Sequence, residues 1–154
     1  MNIYAYREEF LPRMIEIFKG SVRHVCAADY SAVQTAAWLG GADYSAWDAR
    51  FKGSNTFVAE EDGKIVAFGN IRQQDGGGYI DMLYTSKDFQ GRGAATALCN
   101  KMEGIYGPVI AAHSSVTALP FFLSRGYRIV RENTAVRCGV PLKNYLVVKG
   151  ESKK

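Results

Sequence analysis

Leu83-Tyr84-Thr85-Ser86-Lys87-Asp88-Phe89-Gln90-Gly91-Arg92-Gly93-Ala94-Ala95 decides the fold. Its first residues continue Tyr79-Ile80-Asp81-Met82 as a strand, and Ala94 to about Glu103 reads as a helix. Between them lies a glycine loop. Glycine lets the backbone approach a ligand with no Cβ in the way. The first turn of a helix offers unpaired N–H groups at its positive dipole end. Together these make an anion site, to which Arg92 can add a charge. On spacing alone, the same residues also suit a tight turn with close helix–strand packing.

Working outward, Thr56–Glu60 and Lys64–Ile71 read as strands joined at Asp62-Gly63, a strong hairpin signal. Asp75-Gly76-Gly77-Gly78 turns the chain into the decisive strand, so an antiparallel meander precedes the loop. Pro108–Ala112 follows the helix as another strand, which makes a parallel, right-handed crossover. A short helix over Thr117–Ser124 keeps Pro120 in its first turn, and Gly126 stops it. Tyr127–Val130 and Tyr145–Val148 close the sheet as an antiparallel pair. At the other end, Ile3–Tyr6 is a short strand. Leu11, Met14, Ile15, Phe18, Val22 and Val25 recur at helical spacing. Ser31 with Gln34 forms a capping box for a second helix ending at Gly40-Gly41. A third helix from Ser45 brings Trp47 and Phe51 to one side. The expected fold is α/β (α+β): a mixed sheet of about six to seven strands with helices on both faces. One domain is expected over residues 1–149, with a polar tail over 150–154.

A chain of 154 residues, 47% hydrophobic and 22% charged, suits one folded core. Net charge +4 and pI near 9.0 are mild and fit an anionic small ligand, nucleic acid or a merely solvated surface. The basic residues are scattered and no recognition motif accompanies them, which weighs against nucleic acid. Cys26, Cys99 and Cys138 come without a CxxC or a histidine cluster, so neither a disulfide framework nor a metal site is expected. Reduced thiols, no apolar run behind a basic start and no span of about 18 apolar residues predict a cytoplasmic protein away from membranes. No Lys-Ser or Lys-Thr follows the last glycine, so the loop is not a Walker loop. The meander before it argues against a Rossmann site.

Gln90, Gly93 and Ala95 fill the pattern Gln or Arg, two residues, Gly, one residue, Gly or Ala. The stretch thereby resembles the signature of the GNAT superfamily of acetyl-CoA-dependent N-acetyltransferases. Ala118 to Tyr127 is similar to that family's later helix. Asp29-Tyr30-Ser31, Trp38 and Leu142-Lys143-Asn144-Tyr145 resemble its bacterial YafP-like branch, and the likeness covers nearly the whole chain. The resemblance implies acetyl-CoA as co-substrate in a V-shaped gap between the parallel strands. By position, the backbone of Leu83 and Thr85 would pair with the pantetheine arm. The amide of Thr85 or its neighbour Tyr84 would polarise the thioester. After Gln90, the amides of Gly91, Arg92, Gly93, Ala94, Ala95 and Thr96 would hold the pyrophosphate. Ser115 stands where the family often has an asparagine touching the pantetheine. Phe122 stands where it often has a tyrosine acid. The implied activity is direct acetyl transfer to a primary amine of a small molecule or peptide, in an enzyme that can be a homodimer. The alternative is an acyl-CoA-binding protein of the same fold with weak or lost catalysis.

Amine acylation needs positioning, removal of a proton and hydrogen bonds where an oxyanion develops. With Phe122 unable to donate a proton, Asp81 and His113 are the candidates. Period-2 alternation would put Asp81 on the face of Tyr79, Leu83 and Thr85, opposite Tyr84. There it would accept a proton, orient the substrate or simply form an ion pair. His113, at the end of the next strand, has the intrinsic pKa of a base and equally suits a surface or capping role. Tyr84 reads as core, and Tyr145 as an acid only if the last strands fold back over the thiol. Tyr30, Trp38, Tyr44, Trp47 and Phe51 either line an acceptor pocket or pack helices on the sheet.

Overall fold

Three tight turns of one kind build the antiparallel part of the sheet. Asp62-Gly63, Asp75-Gly76 and Cys138-Gly139 each place two consecutive residues at positive φ (52° and 80°, 51° and 78°, 48° and 76°). This geometry matches the right-handed twist of paired strands. The first two turns join β2 (Asn55–Glu61), β3 (Lys64–Gln74) and β4 (Gly77–Thr85) into the meander. The third joins β6 (Arg128–Arg137) to β7 (Val140–Lys149). β1 (Asn2–Ala5) pairs with β2, and β5 (Ile110–Ser115) runs parallel to β4. The seven strands lie in the order β1-β2-β3-β4-β5-β7-β6. The computed structural model describes residues 1–150, so the expected polar tail lies outside the described residues from 151 onward.

Helices cover both faces. α1 (Leu11–His24) carries Pro12 in its first turn and buries Leu11, Met14, Ile17, Phe18 and Val22. α2 (Ala32–Leu39) is capped by Ser31 and Gln34, each side chain accepting from the other's backbone N–H. α3 (Tyr44–Lys52) is capped by Asp43. α1 and α3 pack on Val58, Phe68 and Met82. On the other face, α4 (Ala94–Met102) and α5 (Leu119–Ser124) pack on Ala67, Ile71, Ile80 and Ile110.

Several boundaries move from the expected places. β5 spans Ile110–Ser115 rather than 108–112, and α5 begins at Leu119 rather than Thr117. β6 and β7 are ten residues each, because the Cys138-Gly139 turn continues their pairing far past Val130.

Two irregularities position the site. Parallel pairing of β4 with β5 covers Gly78–Ile80 and Ile110–Ala112, while the strands run on to Thr85 and Ser115. They therefore part below Ile80. The second is a bulge. Asn70 faces Met82 and Ile71 faces Ile80, which leaves Asp81 as the extra residue on β4. The inserted residue shifts the alternation: Ile80 and Leu83 both pack on the α4 face, Met82 and Tyr84 on the α1 face. Asp81 is turned to α3, where Arg50 holds it. It thus shares a side with Tyr84, not with Leu83, which corrects the strict alternation expected from sequence. Asn70, fully buried, fits the bulge: its Oδ1 accepts from the Met82 N–H, and its Nδ2 donates to Asp81 and Ser54.

Candidate active site

The glycine loop borders a groove that runs from the end of β4 to the start of α4. Gly91 and Gly93 have φ of +71° and +86°, and a Cβ on either would meet no protein atom within 4 Å. The loop is held open toward the groove by conformation rather than by packing. Gly93 caps α4 in the left-handed conformation with no side-chain cap. The N–H groups of the first helical turn, at Ala94, Ala95 and Thr96, are left for a ligand. The Gln90 side chain spends its donors on the Thr85 and Ser86 carbonyls, at 2.9 and 3.2 Å, and so braces the loop against β4. Arg92 lies over the Phe89 ring and pairs with Glu61 at 3.1 Å. Backbone amides rather than these two side chains are what the loop offers. Phe121 and Cys26 line the groove farther along.

A second space opens on the α1–α3 side of the sheet. It meets the groove where Leu83, Tyr84, Ser115 and Ala118 border both. Ser115 Oγ accepts from the Ala118 N–H at 3.0 Å, so its own proton stays available. In the wall, Arg50 grips Asp81 with two nitrogens at 2.5 Å each. Burial pushes the Asp81 carboxyl upward, but hydrogen bonds and charge from Arg50, helped by Asn70 and Arg72, outweigh it and hold the pKa below the usual carboxylate value. Across the strand pair, the Tyr79 hydroxyl lies 2.8 Å from His113 Nδ1. Burial first, then the charge of Arg131, keeps His113 below its ordinary value, so the imidazole is neutral near pH 7. Burial, then Asp81, raises the Tyr79 phenol.

The β6–β7 hairpin roofs this space. Gln34 Nε2 donates to the Pro141 carbonyl at 3.1 Å. The Tyr30 hydroxyl donates to the Lys143 carbonyl at 2.6 Å and accepts from the Val116 N–H at 2.9 Å, tying hairpin, α2 approach and β5 exit together. Trp38 packs edge-on to Tyr30.

His113 stands two residues inside β5, not at its end, because β5 continues to Ser115. Phe122 is buried, packs edge-on to Tyr127 and borders the second space, while its neighbour Phe121 faces the groove. Of the five N-terminal aromatics, Tyr30 and Trp38 border the second space. Trp47 and Phe51 belong to the core under α1, and Tyr44 is exposed. Sequence reasoning gave no site role to Arg50, Arg137 or Lys143, which border the second space. The only local signal for the last two was a residue followed by glycine at 138–139 between β-forming residues, which marks a hairpin but not where it folds.

A family model described as "Acetyltransferase (GNAT) domain" matches residues 26–148. The chain is 27% identical over 145 residues to the uncharacterized N-acetyltransferase YafP of Escherichia coli K12, covering 94% of this chain and 93% of that one. A crystal structure of a GCN5-related N-acetyltransferase from Rhodopseudomonas palustris superposes with a TM-score of 0.92 at 30% identity, over 97% of this chain and 95% of that one. A second fold match is the PaiA N-acetyltransferase of Thermoplasma acidophilum in complex with coenzyme A. Its TM-score is 0.79 at 14% identity, over 98% and 100% of the two chains.

Proposed function

The chain belongs to the GNAT acetyltransferase family, and from that premise we propose that it transfers an acetyl group from acetyl-CoA to a primary amine of a small molecule or peptide. One observation carries the reading. A glycine-loop groove and a charged space meet where β4 and β5 part, at Leu83, Tyr84, Ser115 and Ala118. In this reading the amides from Gly91 to Thr96 hold the pyrophosphate, and Leu83 to Thr85 offer backbone to the pantetheine arm. Acetyl-CoA supplies the activated acyl group, and the acceptor enters from the charged side.

The roles follow from the protonation states. A neutral His113 takes the proton that nitrogen loses as the C–N bond forms, with Tyr79 fixing or relaying through Nδ1. Asp81, ionised and gripped by Arg50, is a poor base, and we assign it the orientation of the amine. The C–S bond breaks and sulfur leaves as thiolate toward the Ser115 hydroxyl, which takes up the contact Phe122 has no group to make. Three unbridged cysteines support a cytoplasmic setting. No helix among the described residues is long and apolar enough to cross a membrane.

Calorimetry with acetyl-CoA and thiol release over an amine panel test the reading. Binding together with amine-dependent release is the expected result. Absence of binding at millimolar acetyl-CoA overturns it. Binding with only slow, amine-independent release returns the chain to an acyl-CoA-binding role.

A further inference from the structure

The acceptor space holds more positive charge than acetyl transfer uses. Arg50, Arg137 and Lys143 border it against one carboxylate, Asp81. Both Asp81 oxygens are already taken by Arg50 and Asn70. Lys143 is bridged to Glu132 at 2.6 Å. Arg72 adds a cation beside the space, stacked 4.9 Å over the Tyr79 ring. Arg137 forms no ion pair and no side-chain hydrogen bond among the described residues, yet it ends β6 on the hairpin that roofs the space. That hairpin is anchored through Pro141 and Lys143 to Gln34 and Tyr30, which keeps Arg137 near the site rather than on a waving tip.

A polyamine or basic peptide would enter this field against repulsion, whereas an anionic oxygen group would gain from it. An arginine's planar fork matches a carboxylate or a phosphoryl group with two parallel hydrogen bonds. We propose that the acceptor is a small amine that also carries a carboxylate or phosphoryl group, and that Arg137 binds that group under the hairpin roof. The proposal rests on the acetyltransferase reading.

The test is thiol release with matched pairs: glycine against glycinamide, β-alanine against β-alaninamide, 2-aminoethylphosphonate against ethanolamine, with spermidine as the cationic probe. Wild type and Arg137→Gln are compared pair by pair, so intrinsic amine reactivity cancels. The expected result is that Arg137→Gln lowers the anionic-to-neutral ratio of kcat/KM about tenfold, through the KM of the anionic acceptor. The carboxylate and phosphonate pairs separate the two anion sources. An unchanged ratio, or spermidine as the best acceptor, overturns the proposal while the acetyltransferase reading stands. No release with any amine, despite acetyl-CoA binding, overturns both.

Discussion

The Tyr79 hydroxyl lies 2.8 Å from Nδ1 of His113 although the two residues are 34 positions apart. They meet because β4 and β5 are in parallel register, Tyr79 opposite Ala111, and His113 follows two residues on along the same face. The pair sits beside the point where the strands part. Its chemistry is set by burial and by Arg131, both of which disfavour imidazolium.

That pairing makes the acid limb of the rate profile a direct readout. kcat/KM is expected to fall on acidification through a value below the ordinary histidine pKa of about 6.5. His113→Gln is expected to lower kcat/KM about 100-fold and remove that limb. Tyr79→Phe should shift the limb with a smaller loss. A retained limb in His113→Gln, measured by thiol release across pH, takes the base role from His113.

Asp81 and Arg50 are expected to matter to stability and acceptor use differently from His113. Asp81→Asn should cost about 1–2 kcal/mol in urea unfolding, the lower part of the range for charged hydrogen bonds because Arg50 is 46% exposed. It should also lower turnover more than it raises the KM for acetyl-CoA. The folded-state carboxyl is depressed. Its stabilisation is therefore fully present above the unfolded value of about 3.9 and lost as pH falls through the lower folded value. Urea midpoints of wild type and Asp81→Asn should thus converge at acid pH and separate above it.

Gly93→Ala separates strain from ligand contact. At φ +86° alanine should cost about 1–2 kcal/mol of stability. Its Cβ meets no protein atom within 4 Å, so any further effect is on what occupies the groove. The expected result is about a tenfold weaker Kd for acetyl-CoA by calorimetry. Gly63→Ala, at φ +80° in the β2–β3 turn with the same open surroundings, should cost similar stability and leave that Kd unchanged.

Glu103 ties α4 to the far end of the sheet. Its carboxylate accepts from Arg125, the Tyr127 hydroxyl and Lys149. Burial raises its pKa, but hydrogen bonds from these three residues outweigh burial and hold it low. Glu103→Ala should cost about 2–3 kcal/mol by urea unfolding, since it strands a largely buried Arg125. Tyr127→Phe, which removes one donor, should cost about 1 kcal/mol.

How much of this was legible follows from range. The meander, the Ser31–Gln34 box, the glycine loop and the crossover are written in spacings of two to four residues and in the φ demands of glycine and aspartate, so the linear chain determined them. The family pattern at Gln90, Gly93 and Ala95 was legible for the same reason. The bulge at Asp81 was not, because it depends on Asn70, 11 residues away, filling the gap across the ladder. A one-residue insertion reverses the side chain's face, so local alternation pointed Asp81 the wrong way. Nor did any local signal bring Arg137 to the space that Tyr79 borders, or His113 against Tyr79, since hairpin docking and strand register are long-range packing outcomes. The sequence by itself determined the fold and the glycine loop between β4 and α4. The tertiary structure alone decided which charges line the space beside the groove, because that depends on where β4 bulges, where it leaves β5 and where the last hairpin lands.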